Sequence, residues 1–188
     1  WKFVRLPSGI ATKTGAALML QGLTAHYLVR TTFAIQPGHT VLVHAAAGGV
    51  GLLLVQMAKL LGATVVGTVS TSAKAELARA AGADEIILYT EEEFAPAVRK
   101  ITGGRGVDAV YDGVGAATFD GSLDALAPLG TMALFGAASG PVPPVDTALL
   151  SGKGSLRLTR TSLPDHIPDR TAILERTGDL FQWIADGN

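Results

Sequence analysis

Two hydrophobic rhythms alternate along this chain. Short β-branched runs at 40–45, 64–69, 85–89, 107–111 and 131–135 read as strands. Between them, 50–61, 73–81, 91–101 and 117–126 carry apolar residues at helical spacing, and Gly62 and Gly82 stop the first two. Acids open the 91–101 segment, which predicts them in a first helical turn where the dipole favours them. A short extended start at 3–6 precedes a mostly helical 10–31, with Gly15 and Gly22 as candidate breaks. Beyond the fifth strand, 136–145 is rich in Gly and Pro and predicts a loop. A sixth strand at 155–160 and an amphipathic helix at 170–185 complete the pattern.

Strands that alternate with helices through short links imply parallel pairing with right-handed crossovers. The strands are apolar on both sides, as expected when helices cover both sheet faces. The fold class is therefore α/β, a Rossmann-type doubly wound parallel six-stranded sheet. Within it, 36–188 forms the sheet domain and 1–35 a tail with connecting helices.

Composition narrows the function. With 15 Lys+Arg against 16 Asp+Glu, the formal charge is −1, which gives no electrostatic case for nucleic acid as a partner. The chain has no cysteine, so disulfides, Cys-ligated zinc, iron–sulfur clusters and a thiol nucleophile are all excluded. An oxidising compartment is not required, and a cytoplasmic location is the expectation. No charged residue falls between Arg30 and Lys59, a length that suits a membrane span. Pro37-Gly38 and the glycines at 48, 49 and 51 interrupt it, so a buried strand, a turn and a half-buried helix fit better than a membrane segment.

The chemistry lies at that turn. Strand 40–45 runs into Ala46-Ala47-Gly48-Gly49-Val50-Gly51, an A-x-G-x-x-G form of the dinucleotide fingerprint with Ala46 at the first glycine position. The second glycine lets backbone approach a pyrophosphate, and the last lets helix pack on strand. The helix N-terminus then offers free N–H groups to the anion. Cofactor choice turns on the end of the second strand, Gly67-Thr-Val-Ser-Thr-Ser-Ala-Lys74, where no acid stands to take a ribose 2′-hydroxyl. Lys74 with the hydroxyls of Ser70 and Thr71 suits a 2′-phosphate, so NADPH is preferred over NADH; a merely solvated Lys74 is the alternative.

Other chemistries lack their parts. No tyrosine has a lysine four residues on, and neither G-x-S-x-G nor H-E-x-x-H occurs. The four histidines form no ligand-spaced pair, so no metal site is expected. His44, at a strand end, reads either as a cofactor neighbour or as a satisfied core imidazole. Asp112 reads as a cofactor contact or as a cap for the next turn.

Several segments together resemble the cofactor domain of NADPH-dependent quinone oxidoreductases, zinc-independent medium-chain dehydrogenases/reductases. They are Gly22-Leu-Thr-Ala-His-Tyr-Leu28, His44-Ala-Ala-Ala-Gly-Gly-Val-Gly51, Gly67-Thr-Val69 through Lys74, Ala81-Gly-Ala-Asp84, Ile101-Thr-Gly-Gly104, Tyr111-Asp-Gly-Val-Gly115 and Lys153-Gly-Ser-Leu156. The resemblance implies pyrophosphate contacts at Gly48, Gly49 and Val50. It implies 2′-phosphate recognition by Ser70, Thr71, Lys74 and Tyr89. Thr24, Tyr27, Phe135 and Gly136 match positions near the nicotinamide, and Val114 one near the adenosine. Two departures stand out: Ala137-Ala138 follow Phe135-Gly136 where a polar residue is common, and Gly113 replaces a larger one. The implied reaction is hydride transfer from NADPH to a quinone or similar conjugated carbonyl, with no catalytic residue identified in this chain. Enone, alkenal and enoyl-thioester reductases, and a non-catalytic NADPH-binding or structural relative, are the alternatives. The family's GroES-like catalytic domain has no counterpart here beyond a resemblance of 3–7 to its tail, so the expectation is a cofactor domain cut from a longer protein. The resemblance also implies a homodimer formed through this domain.

Overall fold

In a computed structural model, residues 3–187 are described, and six strands form one sheet in the order β3-β2-β1-β4-β5-β6. The strands are β1 Thr40–Val43, β2 Thr64–Val69, β3 Glu85–Leu88, β4 Val107–Asp112, β5 Leu126–Leu134 and β6 Arg157–Arg160, and every pairing is parallel. The chain winds outward from β1 to β3, returns to the centre, and winds the other way from β4 to β6. The doubly wound sheet expected from the sequence is therefore present, and its order reverses between β1 and β4.

Period-two alternation divides the core. Val41 and Val43 of β1, Val65 and Val69 of β2, and Tyr111 of β4 face one side. There they meet α1 Thr12–Tyr27, α2 Gly49–Leu60, α3 Ser72–Ala80 and the long terminal helix Arg170–Ala185. Leu42, Val66, Val110, Met132 and Leu134 face the other side, under α4 Phe94–Ile101 and α5 Phe119–Ala125. Leu23, Tyr27 and Val29 belong to the first core together with Val41 and Leu54, so residues on both sides of position 35 share one apolar interior.

Four local expectations change. Gly15 and Gly22 do not break α1; each lets a neighbour close in, since a β-carbon on Gly15 would lie 2.8 Å from Leu6 Cδ1 and one on Gly22 3.3 Å from Leu180 Cδ1. Helix α1 instead passes into a wider turn over Leu28–Thr32, where the Phe33 N–H bonds to the Leu28 carbonyl at 3.1 Å. Helix α4 begins at Phe94 and not at residue 91, so the acids precede it. Pro96 explains the shift: a helix from 91 would require its missing N–H as an interior donor, whereas a start at Phe94 leaves it in the first turn. Two short helices, α6 Ala148–Gly152 and α7 Leu163–His166, were not apparent from spacing; the terminal helix is thus α8. Among the described residues, no helix is long and apolar enough to cross a membrane.

Candidate functional site: the carboxyl edge of the sheet

The glycine turn sits at the point where the sheet order reverses, outside the carboxyl ends of β1 and β4. Ala45 adopts φ +50, a left-handed conformation uncommon for a non-glycine residue. Its carbonyl accepts the Gly48 N–H at 2.8 Å, and Gly48 then caps α2 in extended conformation. Gly51 is the position with no room: a β-carbon there would stand 2.2 Å from the Ala45 carbonyl oxygen. The first-turn N–H groups of Gly49 and Val50 have no intrahelical acceptors and open on this edge.

The candidate 2′-phosphate residues gather at the next strand end. Thr71 caps α3, its hydroxyl accepting the Lys74 N–H at 3.3 Å. The Lys74 ammonium reaches back to Ser70 Oγ at 3.1 Å, and both Thr71 and Lys74 are exposed. Tyr89 lies alongside, its N–H bonded to the Val69 carbonyl at 3.1 Å and its side chain 53% exposed. No carboxylate occupies the turn. Asp84, at the opposite end of β2, is used structurally: it takes the Lys59 ammonium at 2.7 Å and the Val65 N–H at 2.7 Å. Burial works to raise that carboxyl, and the bonds from Lys59 and Val65 outweigh it and hold it below the usual range.

At the end of β4, Asp112 caps the following turn, which resolves its two sequence readings toward structure. Oδ1 accepts the N–H groups of Val114 at 2.7 Å and Gly115 at 3.0 Å. Its backbone carbonyl takes the Phe135 N–H at 2.9 Å, tying the β5 end to the same point. Gly113 has its own reason: a side chain there would meet the Phe135 ring at 2.9 Å. Gly136 likewise presses on the Gly113 carbonyl, 2.4 Å from where its β-carbon would be.

His44 is a satisfied interior imidazole, 3% exposed, although it also forms part of a cleft wall. Nδ1 lies 2.9 Å from Thr68 Oγ1 and Nε2 3.0 Å from Ser122 Oγ. Burial lowers its pKa to about 4 against the opposing charge of Asp112. The cleft, about 750 Å³, runs between α4 and α5 from Tyr89 and Val114 to Phe94 and Gly121. Its walls are mostly apolar, as a site for a flat heterocycle requires.

Thr24 and Tyr27 lie on α1, whose Gln21 side chain comes up to Gly49 of the turn. The Thr24 hydroxyl bonds back to the Leu20 carbonyl at 2.7 Å. Tyr27 is 1% exposed and stacks on His166 with ring centroids 4.1 Å apart, so it offers no free surface to a ligand in this chain. Sequence reasoning missed Ser122 and Thr118 altogether. Neither belongs to a motif, and only the folded helix α5 brings them to Asp112, with Thr118 Oγ1 at 2.7 Å and Ser122 Oγ at 3.0 Å from Oδ2.

A glycine turn closed over a helix N-terminus at the reversal point of a parallel sheet defines a dinucleotide-binding α/β domain. Residues 49–175 match the family described as zinc-binding dehydrogenase. The chain belongs to that family. It is 47% identical over 182 residues to quinone oxidoreductase of Salmonella typhimurium, covering 97% of this chain and 56% of the relative. A 2-haloacrylate reductase from a Burkholderia species is 47% identical over 92% of this chain and 52% of its own length. Escherichia coli quinone oxidoreductase, solved in complex with NADPH, superposes with a TM-score of 0.94 at 46% identity, over 98% of this chain and 56% of that one. The chain spans about half the length of the relatives it matches, and its resemblance to quinone oxidoreductases holds in sequence and in structure.

Proposed function

We propose that this chain is the NADPH-binding half of an enzyme that passes hydride to a quinone or a similar conjugated carbonyl. The observation that carries the reading is the β2–α3 turn, where Lys74, Ser70 and Thr71 converge beside exposed Tyr89 with no carboxylate among them. That donor set suits a phosphate and would leave an unphosphorylated ribose without its usual acidic partner. Gly48, Gly49 and Val50 would receive the pyrophosphate, Val114 the adenosine, and Phe135, Gly136 and Thr24 would lie toward the nicotinamide. When bound, NADPH supplies the hydride; the chain's own residues bind and orient it. The reading takes the zinc-independent branch that the sequence resemblance implies.

A conjugated-acid substrate is the second reading, favoured by the 47% identity to a 2-haloacrylate reductase. Both substrates accept hydride at an electron-poor alkene or carbonyl, so the cofactor half serves either. β6 is the outer strand of the sheet, and pairing it with its copy would give a homodimer. The setting is cytoplasmic, in keeping with a chain free of cysteine.

Titration calorimetry of the chain with NADPH and NADH tests the cofactor assignment. At least tenfold tighter binding of NADPH is expected; equal affinities overturn it. Sedimentation at micromolar concentration tests the dimer, and a species of only one chain's mass overturns it.

A further inference from the structure

Four buried side chains form a single hydrogen-bonded line across the sheet end: Thr68 on β2, His44 after β1, Ser122 on α5 and Asp112 on β4. Their exposures are 1%, 3%, 0% and 0%. Thr118 Oγ1 and the N–H groups of Val114 and Gly115 complete the donors around the carboxylate. The line has a direction. A carboxylate only accepts, so the one Ser122 proton goes to Asp112, where the bond is charge-assisted. Ser122 Oγ must then accept from His44 Nε2–H. Nδ1 is left as an acceptor and takes the Thr68 hydroxyl proton. The opposite order would set the Ser122 and Asp112 oxygens lone pair to lone pair at 3.0 Å.

We infer that Ser122 and His44 are positioning residues for the adenosine half of the cofactor, acting through Asp112 on the Val114–Gly115 turn. The inference rests on the cofactor reading above. Asp112 Oδ2 is fixed by Ser122 and Thr118, and that fixes the plane in which Oδ1 receives the two turn amides. Val114 then lines the cleft together with Tyr89. Thr68 closes the far end, donating its hydroxyl proton to the Nδ1 lone pair that this order leaves. The same line stitches β1, β2, β4 and α5 together at the edge where a ligand would press.

The test uses adenosine 2′,5′-bisphosphate, which carries adenine, ribose and the 2′-phosphate without a nicotinamide. Ser122→Ala is expected to weaken its binding about fivefold and NADPH by the same factor. Nitrogen-15 NMR of the wild-type chain is expected to show His44 protonated at Nε2 and bare at Nδ1. Thr68→Val, close to isosteric, is expected to keep that tautomer, which Asp112 sets through Ser122, and to shift the amide signals of Val114 and Gly115 as the imidazole re-seats against Ser122; Thr68 itself donates no hydrogen bond to those amides. A purely local packing role would leave those amides unmoved. An Nδ1–H tautomer in the wild type overturns the inference, as do unmoved amides in Thr68→Val. Unchanged bisphosphate affinity in Ser122→Ala does so too. If Ser122→Ala fails to fold, the wild-type tautomer and Thr68→Val decide. A wild-type chain that binds neither probe overturns the cofactor reading itself, and this inference with it.

Discussion

The methyl group of Ala46 stands 2.8 Å from the point where a β-carbon on Gly67 would lie. Ala46 occupies the first glycine position of the dinucleotide turn, and the residue facing it on β2 is itself a glycine. The two positions share one space: the methyl group at Ala46 fills the room that a side chain at Gly67 would need. The pair keeps the close approach of turn and strand that the fingerprint's first glycine ordinarily provides.

This pairing predicts strong coupling. Gly67→Ala alone is expected to cost about 2 kcal/mol, because the new methyl meets Ala46 and also Ile86 Cδ1 at 3.1 Å. Adding Ala46→Gly is expected to return about half of that, leaving the Ile86 contact as the residue of the cost. Urea unfolding of the two single variants and the double variant measures it. Additive effects would show that Ala46 is not the obstacle.

The glycine turn and the sheet were legible because both are local or periodic. Fully buried strands write continuous apolar runs, and the order of motifs along the chain follows the order of strand ends. The partners across the fold were not legible. His44 and Ser122 are far apart in sequence, and nothing near Ser122 marks it as an acceptor for an imidazole. Tyr27 occupies a motif position, but its stacking on His166 was not legible, because His166 lies on α7, a helix too short to read from spacing. Several resembling motifs prove structural. Lys153 pairs with Asp124 across α5, and Gly154, at φ +108, packs on Pro128.

Cofactor discrimination is expected to rest on Lys74. Its ammonium is exposed and held at 3.1 Å from Ser70 Oγ, poised at the turn and not committed to an acid. Lys74→Ala is expected to narrow the preference for NADPH over NADH about tenfold, a change of about 1.4 kcal/mol. Added salt should narrow the wild-type preference in the same direction, as screening of an exposed charge requires. Calorimetry at two ionic strengths checks both, and an unchanged ratio in the variant would place the discrimination elsewhere.

Acid sensitivity is expected from His44. Its folded pKa, about 4, lies below its ordinary value of 6.5, so between those pH values the unfolded chain binds more protons. Stability from the neutral imidazole is therefore complete above about pH 6.5 and is lost as pH falls toward 4, to a total of about 3 kcal/mol. Asp112 opposes the shift through its charge. Thr68, Ser122 and the Phe94 ring, 4.7 Å away, face the imidazole from the remaining sides, and Glu92, Glu93, Arg99 and Asp124 line the same cleft. Burial lowers His26 and His166 as well, adding to the trend in the same direction. Urea unfolding at pH 7.5 and pH 5 should show the loss in the wild type and a smaller one in His44→Asn. Equal losses in the two chains would remove His44 as the source.

Arg99 carries the last expectation, and it concerns a residue that no motif singled out. Its guanidinium spans four backbone carbonyls: Nε donates to Asp124 at 2.9 Å, Nη1 to Gly104 at 3.0 Å and Arg105 at 2.8 Å, and Nη2 to Leu126 at 2.8 Å. These carbonyls belong to the end of α5, the start of β5 and the glycine-rich link into β4. One planar fork thus closes the bottom of the α4–α5 layer, opposite the edge where the candidate site opens. A lysine keeps the charge but has neither the reach nor the fixed fork to satisfy all four acceptors. Arg99→Lys is therefore expected to cost about 2 kcal/mol, with Arg99→Ala somewhat worse because the part-buried Leu126 carbonyl also loses its donor. Hydrogen exchange should quicken first in the 101–106 link and at the start of β5, while the Ala45–Gly51 turn keeps its protection. Exchange that quickens evenly across the sheet would show that Arg99 supports global stability alone and does not clamp this end.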